Sequence, residues 1–213
     1  AKLLYKYIRV RVDNMIKERN YNIFYTISGG ADIFESGRDS FDSVIQNARF
    51  ALHEAKLKGR NTFVAYSKEQ YETYIHKMDI QEHLRSSIIN GFNGFEVYYQ
   101  PITDISKPGM PCSGAEALIR WNSRELGVIS PTEFIPLAEY LGLINPIGSF
   151  ILREACMRCK YWNDMGHPEY HVNVNLSVVQ LLQNDIVKKV AKVLEETRIT
   201  VSYTHLTLPT NSL

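Results

Sequence analysis

Glu116, Arg120 and Asn175 are the residues of this chain whose types and placement offer chemistry. Glu116 and Arg120 lie in the run Gly114-Ala115-Glu116-Ala117-Leu118-Ile119-Arg120-Trp121, which reads as a strand. Side chains four positions apart on a strand share a face. A carboxylate and a guanidinium so placed either form a structural ion pair or serve a ligand, the Arg fork then matching a pair of phosphate oxygens. Asn175 lies at the end of a second strand pattern, Tyr170 to Leu176. Its amide carbonyl and the Glu116 carboxylate are hard oxygen donors, suited to Mg2+ or Mn2+; the competing reading of Asn175 is a turn or backbone-bonding residue.

Other reactive side chains read as structural. Cys156 and Cys159 form a CxxC inside a helical pattern from about Ile147 to Trp162. Structural zinc takes four ligands, and no second Cys pair exists, so these are expected to be buried thiols. The six histidines show no metal-binding spacing; His53 and His83 belong to helix surfaces or boundaries. Trp121 and Phe134 read as packing residues rather than base-stacking platforms, and Lys188-Lys189 as a solvated helix face.

The elements that must position these residues follow from periodicity. Leu3 to Arg19 is an amphipathic helix, and Ile23-Phe24-Tyr25-Thr26-Ile27 is rich in strand formers. Ser28-Gly29-Gly30 interrupts it as a bulge or turn, and Ala31 to Phe34 continues extended. Asp39 or Ser40 caps a helix bearing Phe41, Val44, Ile45, Ala48, Leu52 and Ala55, with Gly59 at its end. Thr62 to Tyr66 is a short strand. A charged helix from Lys68 to about Asn90 leads to strands at Phe95–Gln100 and Gly114–Trp121, with Lys107-Pro108-Gly109 between them. Ser130 caps a helix starting at Pro131. A longer helix ends near Met165, the strand to Leu176 follows, and helices occupy Val178–Leu182 and Asp185–Thr197. Strands alternating with helices in this way suit a βα barrel.

Composition excludes some classes. Of 213 residues, 45% are hydrophobic and 22% charged, ordinary for a globular chain. The net charge of +1 gives no general attraction to nucleic acid or anionic membrane, so no DNA or RNA polymer is expected as partner. No apolar run reaches the ~18 residues of a membrane span. The start is no signal peptide and lacks Met, so an upstream part is expected, and membrane attachment only through it. Three cysteines fit a reducing cytosol, hence a cytoplasmic location.

Two stretches resemble known families. Tyr25-Thr26-Ile27-Ser28-Gly29-Gly30, followed by Asn47-Ala48-Arg49 and the ending Ala55-Lys56-Leu57-Lys58-Gly59-Arg60-Asn61, resembles the last third of a GGDEF domain. Arg49 stands where that family usually has Asp, and the Gly-Gly-Asp-Glu-Phe loop needed for cyclase chemistry is not among these residues. The second stretch is Tyr99-Gln100-Pro101-Ile102, then Glu116-Ala117-Leu118-Ile119-Arg120-Trp121. Pro131-Thr132-Glu133-Phe134-Ile135-Pro136-Leu137-Ala138-Glu139 and Val174-Asn175-Leu176-Ser177 with Gln180-Leu181 follow. These blocks resemble an EAL domain in order and spacing. The fold class implied is α/β: a partial GGDEF-type domain (1–67), a helical linker (68–91) and an incomplete TIM-like barrel of EAL type (92–200).

By this resemblance Glu116 and Asn175 are ligands of Mg2+ or Mn2+, while Gln100 and Arg120 bind substrate. The reaction implied for the intact parent is metal-dependent hydrolysis of cyclic di-GMP to the linear dinucleotide. The alternative is a catalytically inactive EAL-type module that binds the nucleotide or a protein. A homodimer through EAL domains is a further implication. A full TIM-type barrel takes about 250 residues. The next strand's metal-binding Glu, the Asp-Asp pair and the Lys and Glu beyond are not among those present, so the chain alone is expected to be inactive. An unfinished barrel also leaves strand edges open, so partial unfolding or aggregation is expected. Residues 201–213 resemble translated read-through of a sequencing adaptor and are expected to be a non-native tail; their Thr/Leu alternation is the mark of the other reading, a β-rich terminus.

Overall fold

The computed structural model describes residues 1–35, 37 and 39–199, and the strand at 204–207. Two compact units divide at Lys77/Met78. In the first, helix α1 (Lys2–Glu18) precedes strand β1 (Gly29–Ala31), helix α2 (Phe41–Leu57) and strand β2 (Phe63–Ala65). The α3 helix (Lys68–Ile89) begins here and continues past the division. β1 and β2 pair in parallel, Gly30 opposite Val64. Ser40 caps α2, its hydroxyl accepting from Ser43 N at 3.1 Å. Phe50 on α2 packs against Tyr71 and Tyr74, with ring centroids 5.2 and 5.3 Å apart.

The strand expected at Ile23–Ile27 is a correction. No ladder forms there; it forms at Gly29–Ala31, where a turn or bulge was expected. Gly30 explains the shift, because a Cβ there would lie 2.2 Å from Leu52 N and 2.4 Å from Ala48 O. The glycine permits α2 to lie on the strand, so it marks close approach rather than a turn. Strand propensity at Ile23–Ile27 finds no partner chain to pair with among the described residues, and propensity without pairing makes no strand.

The second unit contains β3 (Phe95–Thr103), β4 (Cys112–Ser123), β5 (Gly127–Ile129), α4 (Pro131–Tyr140) and α5 (Ile144–Asp164). It continues with β6 (His171–Asn175), α6 (Val178–Leu181), α7 (Ile186–Thr197) and β7 (Thr204–Thr207). The sheet order is β3-β4-β6-β7, with β5 paired to β4. β3 is antiparallel to β4, whereas β4–β6 and β6–β7 are parallel. The short hairpin to β5 was not anticipated; Gly127, at φ 73°, makes the reversal into it. β7 is the described part of the expected non-native tail, and the rest of 201–213 lies outside the described residues. No helix among the described residues is long and apolar enough to cross a membrane.

One face of this sheet is dry. Ala115, Ala117, Ile119 and Trp121 alternate along β4 into the core, and Val172 and Val174 do so from β6. All of these but Ala115 belong to one cluster with Ile80 and Leu84 of α3, Phe134 of α4, and Ile147, Leu152, Cys156 and Cys159 of α5. Trp121 stacks on Phe95 at 5.5 Å, and Phe134 closes edge-on at 5.6 Å from Trp121. The indole N–H donates to Ser87 Oγ at 3.2 Å, so the ring is buried with its polar atom satisfied. Trp121 and Phe134 are therefore packing residues, both with no exposed surface.

Phe134→Ala is expected to cost about 3–5 kcal/mol, through lost burial plus the cavity left behind. Tyr140→Ala, at a residue on the same helix that is 83% exposed, is expected to cost less than about 0.5 kcal/mol. Urea unfolding followed by Trp fluorescence measures both; equal losses would contradict the seating of Phe134 beneath Trp121.

Candidate functional site

The alternation that sends odd-numbered residues of β4 into the core sends Glu116, Leu118 and Arg120 to the opposite face. Parallel register sets Glu116 opposite Asn173 and Ala117 opposite Val174, so Asn173 and Asn175 share that face. Antiparallel register sets Gln100 opposite Glu116 and Glu96 opposite Arg120. All four residues expected in the site thus occupy one face. Gln100 is exposed, whereas Glu116, Arg120 and Asn175 are half-buried.

The closest contact is Asn175 Nδ2 donating to Glu116 Oε1 at 2.6 Å. An amide that donates through nitrogen has its carbonyl on the other branch, and a carboxylate accepting at one oxygen has a second. Arg120 behaves differently from the ion-pair reading. Among the described residues it makes no ion pair with Glu116; its Nη1 donates to Ile119 O at 2.9 Å, and its guanidinium lies 5.7 Å from the Tyr98 ring centroid. A cavity of about 300 Å³ lies between β4, α4, α5 and the turn after Asn175, with Ala117, Ile119, Arg120, Glu139, Ile147 and Asn175 among its lining; Glu116 and Gln100 do not line it.

The turn after Asn175 is tightly held. Ser177 caps α6, accepting from Val179 N at 3.1 Å, and Gln180 Oε1 accepts from Ser177 N at 3.1 Å. Ser177 Oγ also donates to Glu139 Oε1 of α4 at 2.5 Å. Glu139 and Gln180 fall inside the matched sequence blocks but received no role there, since contacts between residues 139 and 177 leave no local pattern. Asn173 was missed as well. Its Oδ1 is buried and has no hydrogen-bond partner among the described residues, and the alternation in His171-Val172-Asn173-Val174-Asn175 was the signal that put it beside Asn175.

A hard divalent cation fits this donor set: one carboxylate, the Asn175 amide, and the orphaned Asn173 oxygen on the same face. The set is partial, because among the described residues no group of three or more His, Cys, Asp or Glu could hold a metal. The CxxC thiols contribute nothing to it. Burial pushes Cys156 and Cys159 up to about 11, so both are protonated at neutral pH.

The EAL domain family profile matches residues 81–212. The bifunctional diguanylate cyclase/cyclic di-GMP phosphodiesterase MucR of Pseudomonas aeruginosa is 29% identical over 184 residues, 86% of this chain and 26% of that protein. The cyclic di-GMP phosphodiesterase PdeR of Escherichia coli is 33% identical over 162 residues, 76% of this chain and 23% of that protein. The chain spans about a quarter of the length of these curated relatives. Among solved structures, a PaMucR phosphodiesterase in complex with c-di-GMP superposes with TM-score 0.55 at 34% identity, covering 60% of this chain and 50% of that one. The EAL enzyme Bd1971 in its cAMP-bound form shares the fold at TM-score 0.57 and 21% identity, covering 81% of this chain and 43% of that one.

The thiols give a direct check. Native alkylation at neutral pH is expected to label Cys112, which is half-buried, well ahead of Cys156 and Cys159. Because the buried thiols keep their protons to about pH 11 while unfolded thiols release theirs near pH 8.5, stability from this source is fully present below about pH 8.5. It is lost as pH rises from there toward 11. Mass spectrometry of labelled peptides reads the first effect, and unfolding across pH the second; labelling of all three at one rate would overturn both.

Proposed function

This chain belongs to the EAL domain family, and from that premise we propose that it is part of a cyclic di-GMP phosphodiesterase. The intact parent hydrolyses cyclic di-GMP to the linear dinucleotide. The observation that carries this reading is the Glu116–Asn175 contact at 2.6 Å, with Gln100 and Arg120 on the same face of the sheet. Support comes from MucR and PdeR, both cyclic di-GMP phosphodiesterases by name, and from the PaMucR phosphodiesterase solved with c-di-GMP bound.

Glu116 and Asn175 would hold Mg2+ or Mn2+, with Asn173 beside them. A divalent ion bound there supplies positive charge to the phosphodiester oxygens undergoing displacement. The chain's own residues do the rest of the recognition. Arg120, uncommitted to Glu116, presents its fork to a phosphate oxygen pair. Its guanidinium lies beside the Tyr98 ring, 5.7 Å from the centroid. Gln100, directly across from Glu116 and exposed, offers an amide to substrate at the open face. Trp121 and Phe134 take no part in base stacking, since both are sealed in the core.

Residues 1–67 we read as the C-terminal part of a GGDEF domain. The Ala-Lys-x-x-Gly-Arg-Asn ending supports this. So does the match to MucR, which at 184 residues is longer than residues 78–213 and therefore reaches into the first unit. Proton-transfer groups and further metal ligands belong to the later strands of an EAL barrel, so turnover requires this segment within a complete barrel.

Two measurements test the proposal. In a protein carrying this segment in a complete barrel, Glu116→Ala is expected to abolish release of linear dinucleotide while circular dichroism stays unchanged; retained release would remove Glu116 from the site. In the 213-residue chain, Arg120→Ala is expected to weaken cyclic di-GMP binding about tenfold or more, the worth of a charge-assisted hydrogen-bond pair. Calorimetry reads that loss, and equal affinity would place the phosphate elsewhere.

A further inference from the structure

We propose that Glu139 is a positioning residue: through Ser177, its carboxylate sets the turn that presents Asn175 to Glu116. This rests on the site proposed above and deepens it, assigning a function to a carboxylate on a different element of the fold.

Helix α4 supplies the support. Ser130 caps this helix, its hydroxyl accepting from Thr132 N at 3.3 Å. Phe134 and Ala138, one turn apart, are buried without exposed surface and fix its depth and rotation. Pro131, Ile135 and Glu139, also one turn apart from each other, then fall on the side that lines the 300 Å³ cavity. Glu139 therefore stands on a rigid support at the end of its helix, half-buried.

The partner is equally constrained. Ser177 is 8% exposed and Gln180 5%. A hydroxyl has one proton to donate and can accept through its lone pairs. An ionised carboxylate only accepts, so contact with Glu139 at 2.5 Å makes Ser177 the donor and orients its lone pairs toward the N–H of Val179. The side chain of Gln180 closes the other half of the capping box through Ser177 N. Gly148 of α5 is what admits Gln180, because a Cβ there would lie 1.9 Å from its Nε2. The turn is thus gripped from α4 through Glu139 and from α5 through Gln180. Leu176, 3% exposed, anchors the intervening residue. Asn175 stands immediately before this gripped segment, and its side chain must reach Glu116 to within 2.6 Å. Loosening Ser177 frees the ψ of the residues between them, and the amide then loses its aim.

The rival reading makes Glu139 a direct contact for ligand, since it lines the cavity. The two readings separate by substitution. Glu139→Gln keeps an oxygen that accepts from Ser177, whereas a ligand-binding carboxylate would not survive it. Ser177→Ala breaks the latch while leaving the carboxylate in place.

The experiment uses the 213-residue chain and two readouts. The first is water exchange of the Asn175 side-chain amide protons by NMR without metal, the resonance pair assigned by its loss in Asn175→Asp. The second is Mn2+ affinity by calorimetry. Glu139→Ala and Ser177→Ala are each expected to speed exchange and to weaken Mn2+ about tenfold, the usual size for a partner that orients a metal ligand. Glu139→Gln is expected to stay within about twofold of the parent chain in both. Unchanged amide exchange in Glu139→Ala overturns the proposal. So does loss in Glu139→Gln equal to that in Glu139→Ala, or an unchanged Mn2+ affinity in a chain where Asn175→Ala abolishes binding. If the parent chain takes up no Mn2+, the metal reading of Glu116 and Asn175 fails, and the exchange readout still decides whether Glu139 aims the amide.

Discussion

The register of β4 between its two neighbours is the constraint on which the rest of this structure depends. Side chains on a strand alternate strictly, so a slip of one residue would exchange the two faces. Such a slip would carry Trp121, Ile119 and Ala117 out of the core and drive Glu116 and Arg120 into it. Burying an unpaired charge costs several kcal/mol, and exposing the aromatic cluster forfeits about as much again for each large side chain. The stack of Phe95, Trp121 and Phe134 therefore fixes where Glu116 points, although none of the three touches the site. Fold stability and site geometry are set by the same alternation, read from opposite faces.

The two faces are satisfied to different degrees. On the helix side the bonding extends down to the indole N–H of Trp121. On the open face, Asn173 Oδ1 is buried with no partner among the described residues. A buried carbonyl left unpaired costs about 1–3 kcal/mol, so a chain that keeps one carries a cost that a ligand or hydrated ion can remove. Among the described residues, the open face is thus the side with unused bonding capacity. The contrast also explains why Ser177, Gln180 and Glu139 form a closed network beside it: functional side chains hold their aim only when their supports are fully bonded.

What the sequence made legible followed local rules. Caps at Ser40 and Ser130, the thiol burial in α5, and the grouping of Gln100, Glu116, Arg120 and Asn175 on one sheet all came from periodicity, turn chemistry or motif order. The misses share a different cause. Gly29-Gly30 looks like a turn because local rules say nothing about α2 lying 2.2 Å from a hypothetical Cβ. The β5 hairpin is only three residues long, below the length at which alternation declares itself. Asn173 sat one period from Asn175 and was legible in principle, but its significance lies in a missing partner, which only coordinates reveal. The bond from Ser177 to Glu139 joins residues 38 positions apart. No window along the chain contains both.

Charge separation along β4 is the last consequence of this geometry. Glu116 and Arg120 share a face, yet at a strand rise of about 3.3 Å per residue their backbones are roughly 13 Å apart. Leu118 stands between them on that face, and Tyr98 of β3, directly across from Leu118, takes the guanidinium. Had the two charges met, each would have neutralised the other. Glu116 and Arg120 therefore stand at separate levels of one face, with the guanidinium beside the Tyr98 ring. The residues at positions 98 and 118 thus share the charged face of β4 with Glu116 and Arg120, so changes there alter the surroundings of both charges.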